Sequence, residues 1–231
     1  MSDTFRDLDA LLRTGRKFGV IYADPPWTFD TYSDKGKSRS AENHYACMSI
    51  TEIKRLPVCK LAAADCVLML WGTNPRLKDV LAVIEAWGFT YKTVGFTWIK
   101  HNLKSEGLAW GTGYWTRANS ELCLLATRGH PKRVNADVHS VIMAPRREHS
   151  RKPDEAYERI ERLVGGPYVE LFARRERPGW VSWGNEVPVT DFVPIAPTDD
   201  DRMIDEAFGC KRSGQVIADV VDDILAQRDA M

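Results

Sequence analysis

The sequence predicts an α/β fold, a mainly parallel sheet with helices on both faces. Three observations carry this. Short continuous apolar runs, such as Phe18 to Ala23, Val67 to Trp71 and Tyr168 to Ala173, are what strands buried on both faces look like. Stretches of helical periodicity with clear starts and stops separate the runs, and alternation of strand, helix and strand indicates parallel strands joined by crossovers. At 231 residues and 44% hydrophobic, the chain is long enough for one substantial domain but not for two.

Phe5, Leu8, Leu11 and Leu12 fall at helical spacing over 5–14, a short amphipathic lead-in. The first strand, 18–23, stops at Asp24-Pro25-Pro26-Trp27. Residues 28–48, with Tyr32, His44 and Tyr45 among Ser, Asp, Lys and Gly, show no periodicity. Such a loop is either a lid over a bound ligand or a disordered segment. Ser49 or Thr51 caps a helix running to about Lys60, with Ile53 and Leu56 inward. After a strand at 67–71, Asn74-Pro75 opens a helix that runs to Trp87 and stops at Gly88.

Strands are expected at 93–100, 121–127 and 141–144. Between the first two lies a glycine-rich insert, Gly107 to Arg117, whose Trp110, Tyr114 and Trp115 suit either stacking on bases or packing in a core. Pro153 opens a helix with Asp154 and Glu155 in its first turn and Ala156, Tyr157, Ile160, Leu163 and Val164 as its stripe. Gly165-Gly166 ends it. Strands at 168–173 and 180–186 complete the body, residues 1–189.

Residues 190–231 form a separate unit. Pro194, Pro197 and Asp199-Asp200-Asp201 have linker composition, and Val216, Ile217, Val220, Val221, Ile224 and Leu225 line one face of an amphipathic helix. That helix docks on its own domain, on a second copy as a homodimer, or on a partner. The chain has no net charge, yet from Thr190 onward ten acids face four bases, so the body is mildly basic and the tail acidic. Five cysteines include no C-x-x-C pair and no secretory leader is read, which predicts a reduced, cytoplasmic protein without a metal site. The longest apolar run, Cys66 to Trp71, is too short to span a membrane.

The first strand delivers the most distinctive chemistry. Pro25 and Pro26 fix their own φ, remove two backbone donors and push Asp24 toward an extended conformation. One carboxylate with one free carbonyl is a pair of acceptors without a donor, whose natural guest is an NH₂ group. Trp27 offers a flat face for the ring that carries it. Lys152 stands where a helix start prefers an acceptor and puts a cation at the positive end of the dipole. With the unpaired backbone donors there, it makes an anion site. Lys132-Arg133, Arg146-Arg147-His149-Arg151 and Arg174-Arg175-Arg177 all follow strands and suit a phosphate backbone at the edge that carries Asp24.

Asp24-Pro25-Pro26-Trp27 after a hydrophobic strand resembles the signature of the adenine-N6 methyltransferases related to the catalytic subunit of the eukaryotic messenger-RNA adenosine methyltransferase. The resemblance extends from Phe18 to Glu186 and suggests a compact bacterial or phage-type member. It implies a Rossmann-like methyltransferase fold with permuted motif order, S-adenosylmethionine as cofactor, and catalysis by Asp24, Pro25, Pro26 and Trp27. It further implies that Asp24 and Lys152 meet the cofactor, Lys152 at its carboxylate, and that Arg174, ending Glu170-Leu171-Phe172-Ala173-Arg174, contacts the ribose. Asn185 and Glu186 match the family's Asn-Gln pair, with Glu in place of Gln; a carboxylate still accepts from two ribose hydroxyls. The family's His-Asn after the arginine is replaced by Arg175-Glu176-Arg177. The implied substrate is adenine in nucleic acid, DNA favoured over RNA for so compact a chain. A non-catalytic nucleic-acid-binding subunit is the alternative; a protein-glutamine methyltransferase would carry Asn at position 24.

Overall fold

The computed structural model describes residues 3–27, 48–103, 106–111, 113, 115–146 and 151–187. The expected loop at 28–48, apart from Met48, and the expected linker and helix of 190–231 lie outside the described residues. One mixed sheet organises the rest. Its strands are β1 (Thr4–Phe5), β2 (Phe18–Ala23), β3 (Ala62–Gly72), β4 (Thr90–His101), β5 (Ser120–Arg128), β6 (Val141–Pro145), β7 (Tyr168–Leu171) and β8 (Trp180–Trp183), in spatial order β1-β8-β7-β2-β3-β5-β4-β6. All neighbours are parallel except the two pairs that involve β5. The helices are α1 (Leu8–Arg13), α2 (Ile50–Arg55), α3 (Leu77–Ala86) and α4 (Glu155–Leu163).

Alternation along the strands divides the core in two. Ile21 and Ala23 of β2 and Leu68 and Leu70 of β3 pack with Leu11, Ile53, Val80 and Ile84 from α1, α2 and α3. Val20, Tyr22, Val67, Met69 and Trp71 face the other way, onto Ala156, Tyr157 and Ile160 of α4. Helices therefore cover both faces, as a sheet with strands buried on both sides requires.

Several elements differ from expectation for local reasons. Phe5 belongs to a strand, because β1 pairs with β8 from the far end of the chain, and α1 begins only after the Asp7 cap. Ser49 and Glu52 form a reciprocal capping box on α2, but the helix ends at Arg55 because Pro57 forces Leu56 into the extended region. Residues 74–76 make a 3₁₀ turn before α3 begins. Gly88, with φ of +77°, ends α3 as predicted. Cys66 and Cys123 are free and buried. Among the described residues no helix is long and apolar enough to cross a membrane.

Candidate active site

Because the other strands run one way and β5 the opposite way, one edge of the sheet collects the ends of β2, β3, β4, β6, β7 and β8 and the start of β5. From β2 the sheet builds outward through β3, and from its other neighbour β7 through β8, so a crevice opens between the ends of β2 and β7. In α/β sheets this is where ligands bind. Asp24 follows β2, Glu121 starts β5, Lys152 precedes α4, Arg174 follows β7, and Asn185 and Glu186 follow β8. Topology thus brings all the expected site residues to this edge.

Asp24 is half-buried, and its Oδ2 accepts from Lys152 Nζ at 2.7 Å. The same ammonium lies 3.2 Å from Glu121 Oε2 and 5.7 Å from the centre of the Trp71 ring. Glu121 Oε1 in turn pairs with Lys100. Two carboxylates and two ammonium groups therefore alternate across the crevice. Burial disfavours charge on Lys152, but its two carboxylates outweigh that and raise its pKa. For Glu121, burial pushes the pKa up while Lys152 and Lys100 together bring it below the usual carboxylate value. Asp24 is shifted upward, because burial exceeds the attraction of Lys152.

Lys152 does not stand at the helix start as expected. Asp154 is the N-cap residue of α4, and its carboxylate is engaged by Arg151, at 2.7 Å, and by Arg175. The lysine points instead to the motif carboxylate, so the acceptor pair does have a donor beside it. Pro25 O accepts from Trp27 N–H at 2.9 Å and Pro26 O from Met48 N–H at 3.0 Å; a carbonyl keeps a second lone pair for a guest. Trp27 presents no open face. It is 4% exposed, belongs to the core, and donates through Nε1 to Trp71 O at 3.1 Å. Its role is to lock the Pro-Pro turn onto β3.

Beyond β7 and β8, Arg174 Nε stands 3.9 Å from Glu186 Oε1, and Asn185 and Glu186 are exposed. Phe172, immediately after β7, has φ of +63°, an uncommon conformation for a bulky residue and one that clusters at functional sites. Gly184 sets the approach of the two strand ends: a Cβ there would lie 1.9 Å from Ala173 O. Gly184→Ala is therefore expected to force apart the loops carrying Arg174 and Asn185, lowering stability by roughly 1–3 kcal/mol as overpacking does; thermal denaturation checks this.

The sequence reading missed Glu121, Lys100 and Glu170. Glu170 is 8% exposed; Tyr157 OH donates to its Oε1 at 2.7 Å, and its Oε2 has no partner. Burial raises its pKa to about 7. A carboxyl raised in the folded state binds more protons folded than unfolded between those two pKa values. Its contribution to stability is thus complete below about 4.5 and lost as pH rises to about 7, amounting to about 3 kcal/mol. Urea denaturation across that window is expected to show the decline, and Glu170→Gln to remove it.

The basic clusters separate. Arg146 follows β6 at the crevice edge, whereas Lys132 and Arg133 follow the antiparallel β5 and so lie at the opposite edge, where Arg133 bridges to Val164. Arg177 is held by Glu161 at 3.1 Å and lies over the Tyr157 ring. Arg147 and His149 lie outside the described residues. Among the described residues no group of three His, Cys, Asp or Glu side chains could hold a metal ion.

Comparison with known proteins identifies the family. The MT-A70 family model matches residues 18–186. The type II methyltransferase M.MunI of Mycoplasma sp is 32% identical over 193 residues, covering 75% of this chain and 79% of that protein. The human N(6)-adenosine-methyltransferase catalytic subunit METTL3 is 32% identical over 176 residues, 74% of this chain but 28% of that protein. The mouse N(6)-adenine-specific methyltransferase METTL4 is 33% identical over 201 residues, 78% of this chain and 40% of that protein. A Rossmann-like mixed sheet, an acidic Pro-Pro motif at its crevice and a family match over most of the folded body agree: the chain belongs to the MT-A70 family of adenine-N6 methyltransferases.

Proposed function

We propose that the protein transfers a methyl group from S-adenosylmethionine to the 6-amino group of adenine in nucleic acid, with DNA the favoured polymer. The observation that carries the reading is the Asp24 carboxylate held at the crevice by Lys152, next to the Pro25 carbonyl. The donor and acceptor set along the edge fits this cofactor. Lys152 supplies a cation for its carboxylate, Arg174 and Glu186 flank a place for ribose hydroxyls, and Asn185 offers both donor and acceptor. When bound, S-adenosylmethionine supplies an electrophilic methyl group on a sulfonium.

The residues of the chain do the positioning. The lone pair of the adenine amine is delocalised into the ring, so the amine is a poor nucleophile. Asp24 Oδ and Pro25 O accept its two N–H bonds, draw the nitrogen toward tetrahedral geometry and aim its lone pair along the line of displacement. Lys152 favours the ionised form of Asp24, which has to accept. The methylated amine is strongly acidic, so its proton leaves without a tuned base. A base in a duplex must first be turned out to reach this depth.

DNA is favoured because the chain matches M.MunI over most of both proteins, whereas it covers only about a quarter of the METTL3 chain, named for adenosine. Transfer from labelled S-adenosylmethionine to single-stranded DNA, duplex DNA and RNA, side by side, tests the reading. Label at adenine N6 of DNA is expected; label in RNA alone overturns the polymer, and label in none overturns the activity.

A further inference from the structure

The insert between β4 and β5 is anchored at its base and bare at its tip. Asn119 Nδ2 donates to Lys100 O at 2.7 Å and to Ala109 O at 2.5 Å, and Ala109 N–H donates to Lys100 O at 2.8 Å. Gly111 N–H donates to Ala118 O at 2.7 Å. These bonds fix the direction in which the tip leaves the crevice edge. At the tip the chain turns so tightly that a Cβ on Gly113 would lie 2.4 Å from Thr116 O.

This turn presents Trp115, whose φ is 66° and whose side chain is fully exposed. A bulky residue is disfavoured in the left-handed region. Exposure of the whole indole brings no burial to offset that. Neither local conformation nor packing accounts for a tryptophan here. Trp110 is 62% and Leu103 71% exposed on the same insert, so Trp110 and Trp115 lie on the surface and not in the core; Tyr114 lies outside the described residues. Arg117 is exposed two residues beyond Trp115, and Arg146 N–H donates to His101 O at 3.3 Å, which places a second exposed arginine at the foot of the insert. Glu106 is the only acid among the insert's described residues.

We propose that this insert is a stacking platform for an unpaired nucleic-acid strand, with Trp115 against a base that flanks the one at Asp24 and with Arg117 and Arg146 on the phosphates. The proposal rests on the reading of the site as one that acts on adenine in nucleic acid. Turning a base out to reach Asp24 deprives its neighbours of a stacking partner, and a rigid indole beside the crevice replaces it. A second copy of the chain fits less well. Its interface would call for a continuous apolar face depleted of charge at its centre, whereas these indoles are interleaved with guanidinium groups that match the alternation of base and phosphate.

Fluorescence anisotropy of the full chain with a short labelled single-stranded DNA tests this. Trp115→Ala is expected to weaken binding about tenfold, as loss of one stacked base does. Trp115→Tyr should restore most of it, and the melting temperature should not change. In a salt series, Trp115→Ala should leave the slope of log K against log salt unaltered, whereas Arg117→Ala should reduce it by about 0.7. Unchanged affinity in Trp115→Ala overturns the platform. So does light scattering that shows wild-type dimers becoming monomers in Trp115→Ala at unaltered strand affinity. A wild-type protein that transfers methyl while Trp115→Ala binds equally well sinks the platform alone, and one that binds the strand but methylates no polymer sinks the functional reading alone.

Discussion

Asp24→Asn is expected to lower turnover by roughly 10² or more, the size associated with loss of one charged positioning contact in a water-poor site. Asn keeps the shape and one oxygen, which can still accept from Lys152 or from the substrate amine, but its amide nitrogen presents N–H where the proposed role needs an acceptor. The fold should tolerate the change, because Lys152 keeps the Glu121 carboxylate as its charge partner and the Asn oxygen can still accept from it. Wild-type turnover should also decline as the pH is lowered through the raised pKa of Asp24, since the protonated carboxyl no longer accepts twice. Steady-state rates across pH for both proteins check the two expectations together, and retention of more than half the wild-type rate by Asp24→Asn would remove the carboxylate from the mechanism.

The second large effect is expected at Lys152. Its ammonium is shared by Asp24 and Glu121 and mostly buried. Lys152→Met leaves those two carboxylates facing each other with Lys100 as the only nearby ammonium among the described residues. Removing one partner of a buried ion pair costs about 3–5 kcal/mol. The penalty should be greatest at neutral pH and shrink under acid, where protonation relieves the repulsion. Combining Lys152→Met with Glu121→Gln should recover part of the loss, a coupling that independent sites would not show. Denaturant titrations of the three variants at two pH values decide this. Calorimetry adds a separate readout: affinity for S-adenosylmethionine should fall by about 1–3 kcal/mol, the range for a hydrogen bond to a charged group. A cofactor analogue that lacks the carboxylate should be affected less.

Much of this site was legible in the sequence because its parts are local. The run Phe18 to Ala23 ending at Asp24-Pro25 announces both a buried strand and what it delivers, and the stripe Ala156, Tyr157 and Ile160 announces α4. What escaped depends on which strand runs backward. Glu121 opens an apolar run and looks like a boundary residue; only the antiparallel course of β5 carries it to the crevice, and the same reversal takes Arg133 away. Lys152 was singled out for breaking a helix-start rule, yet it does not start the helix. Its ammonium is instead turned to a carboxylate 128 residues away, a pairing that no local rule reveals. Trp27 shows the opposite failure. A tryptophan after a motif suggests stacking, and nothing local reveals that its indole N–H is claimed by a carbonyl of β3. Phe5 pairs with β8 from the far end of the chain, which a short window cannot see.

The reversed strand also bears on where this fold can accept change. A parallel strand that ends at the crevice must be followed by a return across the sheet, so altering its loop risks the register of the next strand. The end of β4 and the start of β5 meet at the crevice as two arms of one hairpin, paired from Ile99 and Ser120 downward with two register shifts along the way. The free energy of closing such a loop grows only slowly with its length. Length can therefore change beyond the Gly111–Ala118 bridge, while Asn119 still ties Lys100 and Ala109 at the base and the ladder beneath it and the Asp24–Lys152–Glu121 array stay in place. A change of length there is confined to one contiguous segment and leaves the strand order as it is.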